Sequence, residues 1–398
     1  MKILILNNSP HENNPYEEWL SDISDELIIL TSDQYEKDFD HYLYKESFPH
    51  YETNSLVELR AIELYEKYQY EQVIALNEWD VLRAGQLRER LGLKGQRYES
   101  AVVFRNKEIM KKYARKSGVF IPKYKVINHA FDVLDFLDEA GYPIVVKPIA
   151  GAGSRNTVKI DNHDDLERFL NESLYFPLLA EEFIDGDMYH IDGLVLNGEI
   201  VFVWPSKYIN GCLAYQDSKY LGSYLLDPDN PMTARLQEAV RELIRQFPTP
   251  EHTTFHAELF HTADDQLYFC EVASRTGGVK VNDSIQHAFG INISKIWARS
   301  LCGRLPDLQD FRQLSKKRTS GFVLIPPKKG TLVQMNTSAP FDWVIKQEYH
   351  AQVGETFSGA KRSVDCVALF VVDGKSEHEV VQRINEVARW FESQTVYK

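Results

Sequence analysis

The stretch YFCEVASRTGG, residues 268–278, puts a carboxylate, Glu271, and a guanidinium, Arg275, four residues apart at the end of an apolar run, with a glycine pair directly behind them. The run Leu267–Cys270 reads as a buried strand, and charge at its end is costly unless something pairs it. Just upstream, FHAELF (255–260) is a second apolar strand carrying one carboxylate, Glu258. A turn at Asp264-Asp265 makes the two strands arms of one hairpin, so both side chains can project from one face. Paired carboxylates there repel unless a cation lies between them. Mg²⁺ held by one or two carboxylates plus substrate phosphates is the usual arrangement of a phosphoryl-transfer site. Arg275 can grip a carboxylate or phosphate through two parallel hydrogen bonds.

Working outward, GAGS (151–154) joins the strand YPIVVKP to the strand NTVKI. Backbone N–H groups in such a loop can lie over phosphates, although a plain hairpin tip is the simpler reading of the loop alone. It is neither a Walker loop, since no Gly-Lys-Ser/Thr follows, nor a dinucleotide fingerprint, since no G-x-G-x-x-G opens a helix. Lys147 weighs for the phosphate reading. Strand alternation turns it inward, and a buried lysine is rare without a partner. Lys107, at the start of the next upstream helix, offers a second cation, or is one exposed helical lysine among Lys111, Lys112 and Lys116. EEFI (181–184) ends a strand with two adjacent carboxylates. If one points inward it needs a donor, for which the amino group of adenine is a candidate, with the backbone at Phe183 and Ile184 reading the ring edge. Two solvated carboxylates on an edge strand are the alternative.

The chain has 398 residues, 43% hydrophobic and 26% charged, which predicts a folded protein of two to four units. A net charge of −13 argues against tracking nucleic-acid phosphate but not against a local cationic site. The four cysteines are scattered, with no disulfide or zinc pattern. The apolar run in MKILILNNSP is too short for a signal peptide or a membrane span, so a cytoplasmic enzyme is expected. Lys2–Leu6 and Val73–Leu76 read as parallel strands, with helices at Leu56–Tyr68 and Val81–Leu91, an open α/β unit. Glu78, after the second strand, faces a crevice or is an ordinary surface carboxylate. A hairpin is expected at Asn197-Gly198, and strands with a final amphipathic helix close the chain. His252, His256 and His261 invite a zinc reading. The strand TTFHAELF keeps the first two off a shared helical face, so ordinary histidines are the better account.

Taken in order, Lys107, Lys147 with its glycine loop, EEFIDG, Glu258, and Glu271 before SRTGG resemble the motifs of the ATP-grasp superfamily of carboxylate–amine ligases. SKYINGCLAYQDSKYLGSYLL, GFVLIPPKKGTL and ALFVVDGKSEHEV are similar to the L-amino acid (dipeptide) ligase branch. The resemblance implies an α/β and α+β multidomain fold. Residues 1–100 would form a pre-ATP-grasp domain, 101–185 the small ATP-grasp lobe, 186–305 the large lobe with the metal site, and 306–398 a lid-like α+β region. It further implies that Lys107, Lys147 and the loop at Gly151, Gly153 and Ser154 hold the phosphates. Glu181, Phe183 and Ile184 would hold adenine, and Glu258 and Glu271 Mg²⁺, with Mn²⁺ as a substitute. Arg275 and Lys147 would be catalytic. Arg275, Glu78, Gly277 and Gly278 would meet an amino-acid substrate, Glu78 at its amino group.

Two positions depart from the pattern. Ala273 stands where an asparagine metal ligand is expected, leaving Ser274 or water to complete the shell. The ribose-binding acid falls on Met188, with Asp187 beside it. The implied reaction forms an acyl phosphate and passes it to an amine, with a carrier-protein thiol as the alternative acceptor and KKYARK (111–116) as a weak dock. A non-catalytic nucleotide-binding module is the third reading. Neither nucleic acid nor membrane is expected as a partner, and a homodimer is the prior for such enzymes.

Overall fold

Strands buried on both faces read as unbroken apolar runs. Ile3–Asn7, Leu27–Ser32 and Gln72–Ala75 are such strands, buried along their whole length in the computed structural model, which describes residues 1–398. With Tyr44–Phe48 they form a parallel sheet in the order Tyr44–Phe48, Leu27–Ser32, Ile3–Asn7, Gln72–Ala75. Only the first and last of these in sequence were expected. LIILTS is too short a run for periodicity to separate strand from helix. The chain reverses its strand order beside Ile3–Asn7, where an open sheet forms its crevice. The loops after Asn7 and Ala75 meet there, and the Ser9 hydroxyl donates to Asn77 Oδ1 at 2.8 Å.

A four-stranded antiparallel sheet follows, ordered Tyr124–Ile127, Leu178–Glu182, Ile144–Pro148, Val158–Ile160. Helices Ala130–Ala140 and His163–Leu170 cover one face through Val133, Phe136, Leu166 and Phe169. The other face looks toward an eight-stranded antiparallel sheet. Its order is Leu267–Ala273, Thr253–Thr262, Gly186–Leu196, Glu199–Ile209, Leu221–Leu225, Thr319–Ile325, Ala368–Gly374, Val344–Tyr349. Asn197 and Gly198, both at positive φ, make the expected two-residue turn between the third and fourth of these strands.

Contacts cross two of the expected boundaries. Helix Lys107–Ala114 lies in the expected small lobe, yet Met110 and Ala114 pack with Ile191, Leu259 and Phe269 in the core of the large sheet. The break expected at residue 305 is bridged as well. Thr319–Ile325 pairs directly with Leu221–Leu225, so the C-terminal strands continue the large sheet. An amphipathic pattern shows which face is buried and leaves open which sheet buries it.

A buried ion pair joins three parts of the chain. Lys280 Nζ lies 2.6 Å from Glu348 Oε1 on the Val344–Tyr349 strand and donates to Asn13 Oδ1 at 3.2 Å in the first loop. Burial alone would push the Glu348 carboxyl up, but His350, Lys280 and Lys346 hold it at about 2. Its folded value lies below the ordinary 4.5, so it stabilises the fold above that pH, and the stability is lost as pH falls through about 2. Lys280→Met leaves this half-buried carboxylate to Lys346 and His350 and is expected to cost about 1 kcal/mol at pH 7. Urea unfolding of parent and variant checks this, and the gap between them should shrink steadily below pH 4.5.

Candidate active site

Along Ile144–Pro148, Ile144 and Val146 enter the small-lobe core while Val145 and Lys147 face the large sheet. Lys147 is buried as expected, and its partner is Glu181 Oε2 at 3.0 Å. The other oxygen of Glu181 lies 3.0 Å from the ammonium of Lys111, which has no exposed surface and also donates to the Cys270 carbonyl at 3.3 Å. This corrects two expectations. Lys111 is not an exposed helical lysine, because its helix packs in the large-lobe core. The inward carboxylate of EEFI finds its donors in two lysines, not in a base. Burial would raise the Glu181 carboxyl, but Lys111 and Lys147 hold it low and ionised. Two ammoniums on one carboxylate leave one net positive charge in the cleft.

Between the sheets lies a cleft of about 400 Å³. Val145, Phe183, Ile184, Met188 and Phe260 line an apolar part suited to a flat ring. The Phe183 N–H is taken by the Pro143 carbonyl, while the Ile184 N–H has no backbone acceptor. The glycine loop borders the cleft through Gly151, Ala152 and Ser154. Gly153 sits at φ +62°, where a side chain is strained. Neighbours pin the loop's carbonyls: Lys107 Nζ donates to Gly151 at 3.1 Å, Tyr215 Oη to Ser154 at 3.1 Å and the Ser363 N–H to Gly153 at 3.1 Å. Asp187, at the rim, pairs with Lys207 at 2.7 Å.

Glu258 and Glu271 are register partners across the hairpin, both on the cleft. A bulge follows, with Leu259 opposite Phe269 and Cys270 as the extra residue, so Phe269 enters the core while Cys270 lines the cleft. Glu258 Oε1 accepts from Tyr208 Oη at 2.9 Å. Glu271 Oε2 lies 3.0 Å from Lys107 Nζ. Burial would raise the Glu271 carboxyl, but Lys107, Lys147 and Arg275 hold it at about 2. Hard carboxylate oxygens facing one another across a ladder rung suit Mg²⁺ or Mn²⁺. Ser274 does not join them: its hydroxyl pairs with Gln96 and is buried away from the cleft.

Arg275 and Glu78 are brought together, although not as expected. Both oxygens of Glu78 are engaged, one by Arg275 Nε and one by Arg105 Nη1. Glu78 is therefore an anchor for two guanidiniums and not an open acceptor for an amino group. Arg275 Nη1 donates to the Thr276 carbonyl at 2.8 Å, which leaves Nη2 as its terminal nitrogen without a protein partner. Gly278 borders open space. Gly277 answers a different need. A Cβ there would lie 2.6 Å from Asp192 Oδ1 and 2.7 Å from His256 Nδ1.

The histidines do not assemble as the zinc reading required. His252 Nδ1 accepts from the Asn197 N–H at 3.3 Å, and His261 pairs with Asp265 at 2.7 Å. His256 instead joins Asp192 and His190, three buried side chains whose ligand atoms lie within 4.8 Å of one another. Their hydrogen bonds account for this closeness. Asp192 takes His256 Nδ1 at 2.8 Å and His190 Nδ1 at 2.6 Å, while His190 Nε2 meets Ser223 Oγ at 2.6 Å. The signal for Asp192 was a charged residue inside the apolar strand HIDGLVL. Arg105 and Lys111 left no comparable mark, because their partners are far away in sequence.

A phosphate-sized cationic corner, an apolar slot and a carboxylate pair thus lie between two antiparallel lobes. Residues 105–279 match the model of the ATP-grasp domain. The fold is the ATP-grasp fold. It is 27% identical over 274 residues to the L-arginine-specific L-amino acid ligase of Bacillus subtilis, covering 66% of this chain and 64% of that one. The alanine–anticapsin ligase of Bacillus subtilis strain 168 is 22% identical over 302 residues, 69% of this chain and 63% of the relative. The chain thus spans less than two thirds of the length of either relative. Among solved structures, an L-amino acid ligase from Bacillus licheniformis superposes with a TM-score of 0.78 at 17% identity, covering 100% of this chain and 99% of that one. The biotin carboxylase domain of the Hydrogenobacter thermophilus 2-oxoglutarate carboxylase, in complex with MgADP, ADP and bicarbonate, gives 0.71 at 15%, covering 100% and 90%. At these identities the structures speak for the fold. No helix is long and apolar enough to cross a membrane.

The Lys111–Glu181–Lys147 group separates stability from nucleotide binding. Removing either ammonium leaves a neutral pair, whereas Glu181→Gln leaves two buried ammoniums without a counter-charge. Glu181→Gln is expected to cost about 3–5 kcal/mol and Lys147→Met much less, while Lys147→Met loses nucleotide affinity. Thermal unfolding together with calorimetric ADP titration checks both halves.

Proposed function

We propose that the protein is an ATP- and Mg²⁺-dependent ligase that joins the carboxylate of an amino acid to an amine, releasing ADP and phosphate. The observation that carries this reading is the set of groups lining the cleft, Lys147 and Lys107, then Glu271 beside Glu258, with Arg275 four residues beyond Glu271 in the chain. A carboxylate attacking a γ-phosphoryl group brings two anions together, so cations and excluded water do most of the catalytic work. The apolar slot takes adenine, with the Ile184 N–H as the donor to its ring edge. Lys147 and Lys107 hold the phosphates beneath the glycine loop, and Asp187 lies where a ribose hydroxyl would reach the rim. Glu258 and Glu271 would hold the Mg²⁺, which neutralises phosphate charge when bound.

Arg275, steadied by Glu78, presents Nη2 to the substrate carboxylate and then to the oxygens of the acyl phosphate. The acceptor amine attacks the acyl carbon and phosphate leaves as the C–N bond forms. The ligase names of the Bacillus relatives support the same class of reaction. Against a carrier-protein thiol as acceptor, the stretch considered as a dock, KKYARK, gives Lys111 to the interior.

The test screens the twenty amino acids, singly and in pairs, for ATP-dependent phosphate release with mass detection of the product. Hydroxylamine supplied without an amine should trap the acyl phosphate as a hydroxamate. Glu271→Ala and Arg275→Ala should each lower ADP release by roughly 100-fold or more in a folded chain. Parent-rate turnover in either variant would remove these residues from the site.

A further inference from the structure

Behind Glu258 lies a buried network that the reaction does not itself call for. Asp192, 1% exposed, uses one oxygen for each of two imidazoles, His190 beside it on the Gly186–Leu196 strand and His256 on the Thr253–Thr262 strand. The far nitrogen of His256, Nε2, lies 3.5 Å from Glu258 Oε1, the oxygen that also accepts from Tyr208. The rung that holds Ala273 opposite His256 is two along from the one that holds Glu271 opposite Glu258, so the pairs share a face. The Asp192–His256 contact lies against Gly277, where a Cβ would come within 2.6 Å of one partner and 2.7 Å of the other. Gly277 has no left-handed backbone to explain its glycine. Closeness to this pair is what the position requires.

We infer that His256, oriented by Asp192 and given room by Gly277, is a positioning residue that holds the Glu258 carboxylate in its metal-binding orientation. The inference rests on Glu258 being a metal ligand. A ligating carboxylate swings about its last bonds unless outer groups fix it, and such groups are commonly worth 10–100-fold in metal affinity. Tyr208 and His256 both meet the same oxygen of Glu258, Oε1. The first glycine of SRTGG then serves the metal site from behind, without touching a substrate.

The experiment measures Mn²⁺ binding by the loss of the free-ion electron paramagnetic resonance signal, with ADP present, for the full chain and for His256→Asn, Gly277→Ala and Glu258→Ala. ADP affinity in the presence of EDTA is measured in parallel. His256→Asn and Gly277→Ala are each expected to weaken Mn²⁺ binding by about 10-fold or more, with metal-free ADP affinity within about twofold of the parent. Gly277→Ala matters most, since it removes no polar group and acts by crowding the pair, with Val281 Cγ2 as the third neighbour at 2.9 Å. If Glu258→Ala leaves Mn²⁺ binding intact, the metal-site reading itself fails. If Glu258→Ala weakens it while the other two variants bind as the parent does, the positioning role is overturned. Collapse of both His256→Asn and Gly277→Ala into unfolded chains would also overturn it, since the pair would then be a core element and not a support for one ligand.

Discussion

One buried carboxylate, Glu181, ties together the two lobes that make the cleft. It stands on the small-lobe sheet beside Lys147, and its other oxygen meets Lys111, whose helix belongs to the core of the large sheet. Three charges with almost no access to water persist only because each satisfies another, and removing the anion leaves nothing to hold the two cations. The floor of the cleft is thereby also the joint between the lobes, and this group of three carries one excess positive charge. A polyphosphate is the kind of ligand that could use that excess.

Charge is then handed along the cleft in alternation. Lys107 meets Glu271, and beyond it Arg275 meets Glu78, which also meets Arg105. The last two arise from different parts of the chain, the loop after the parallel sheet and the entry to helix Lys107–Ala114. Holding Arg275 from behind by a carboxylate fixes the guanidinium in place, which in the proposed reaction would lower the cost of orienting it. Glu271 is kept ionised by its cationic neighbours despite its burial, a state suited to a cation-holding role.

Much of this was legible in the chain itself. Alternation put Lys147 inward, and the apolar arms around Asp264-Asp265 put Glu258 opposite Glu271, because a strand period of two fixes the face of every side chain once one is known. What stayed hidden was the neighbour. Lys111 looks like Lys112 and Lys116 in sequence, and only the docking of its helix onto the large sheet separates it from them. Glu78 was rightly suspected of facing a crevice, yet Arg105, 27 positions further along, decided what it meets there. Gly277 was read as meeting a substrate, while the groups crowded against it include Asp192, 85 positions back in the chain, on a strand whose own pattern drew attention only through that residue.

The large sheet does not stop where the catalytic motifs stop. Thr319–Ile325 takes up the free edge of Leu221–Leu225, and Ala368–Gly374 and Val344–Tyr349 follow it outward. An antiparallel edge left bare is a template for pairing with other chains. The last ninety residues therefore cannot be exchanged as a cassette: any recombination that swaps them must bring a strand able to continue the same ladder. The portable unit of this architecture is the whole eight-stranded surface, and diversity among such proteins has to come from loops and side chains laid upon it.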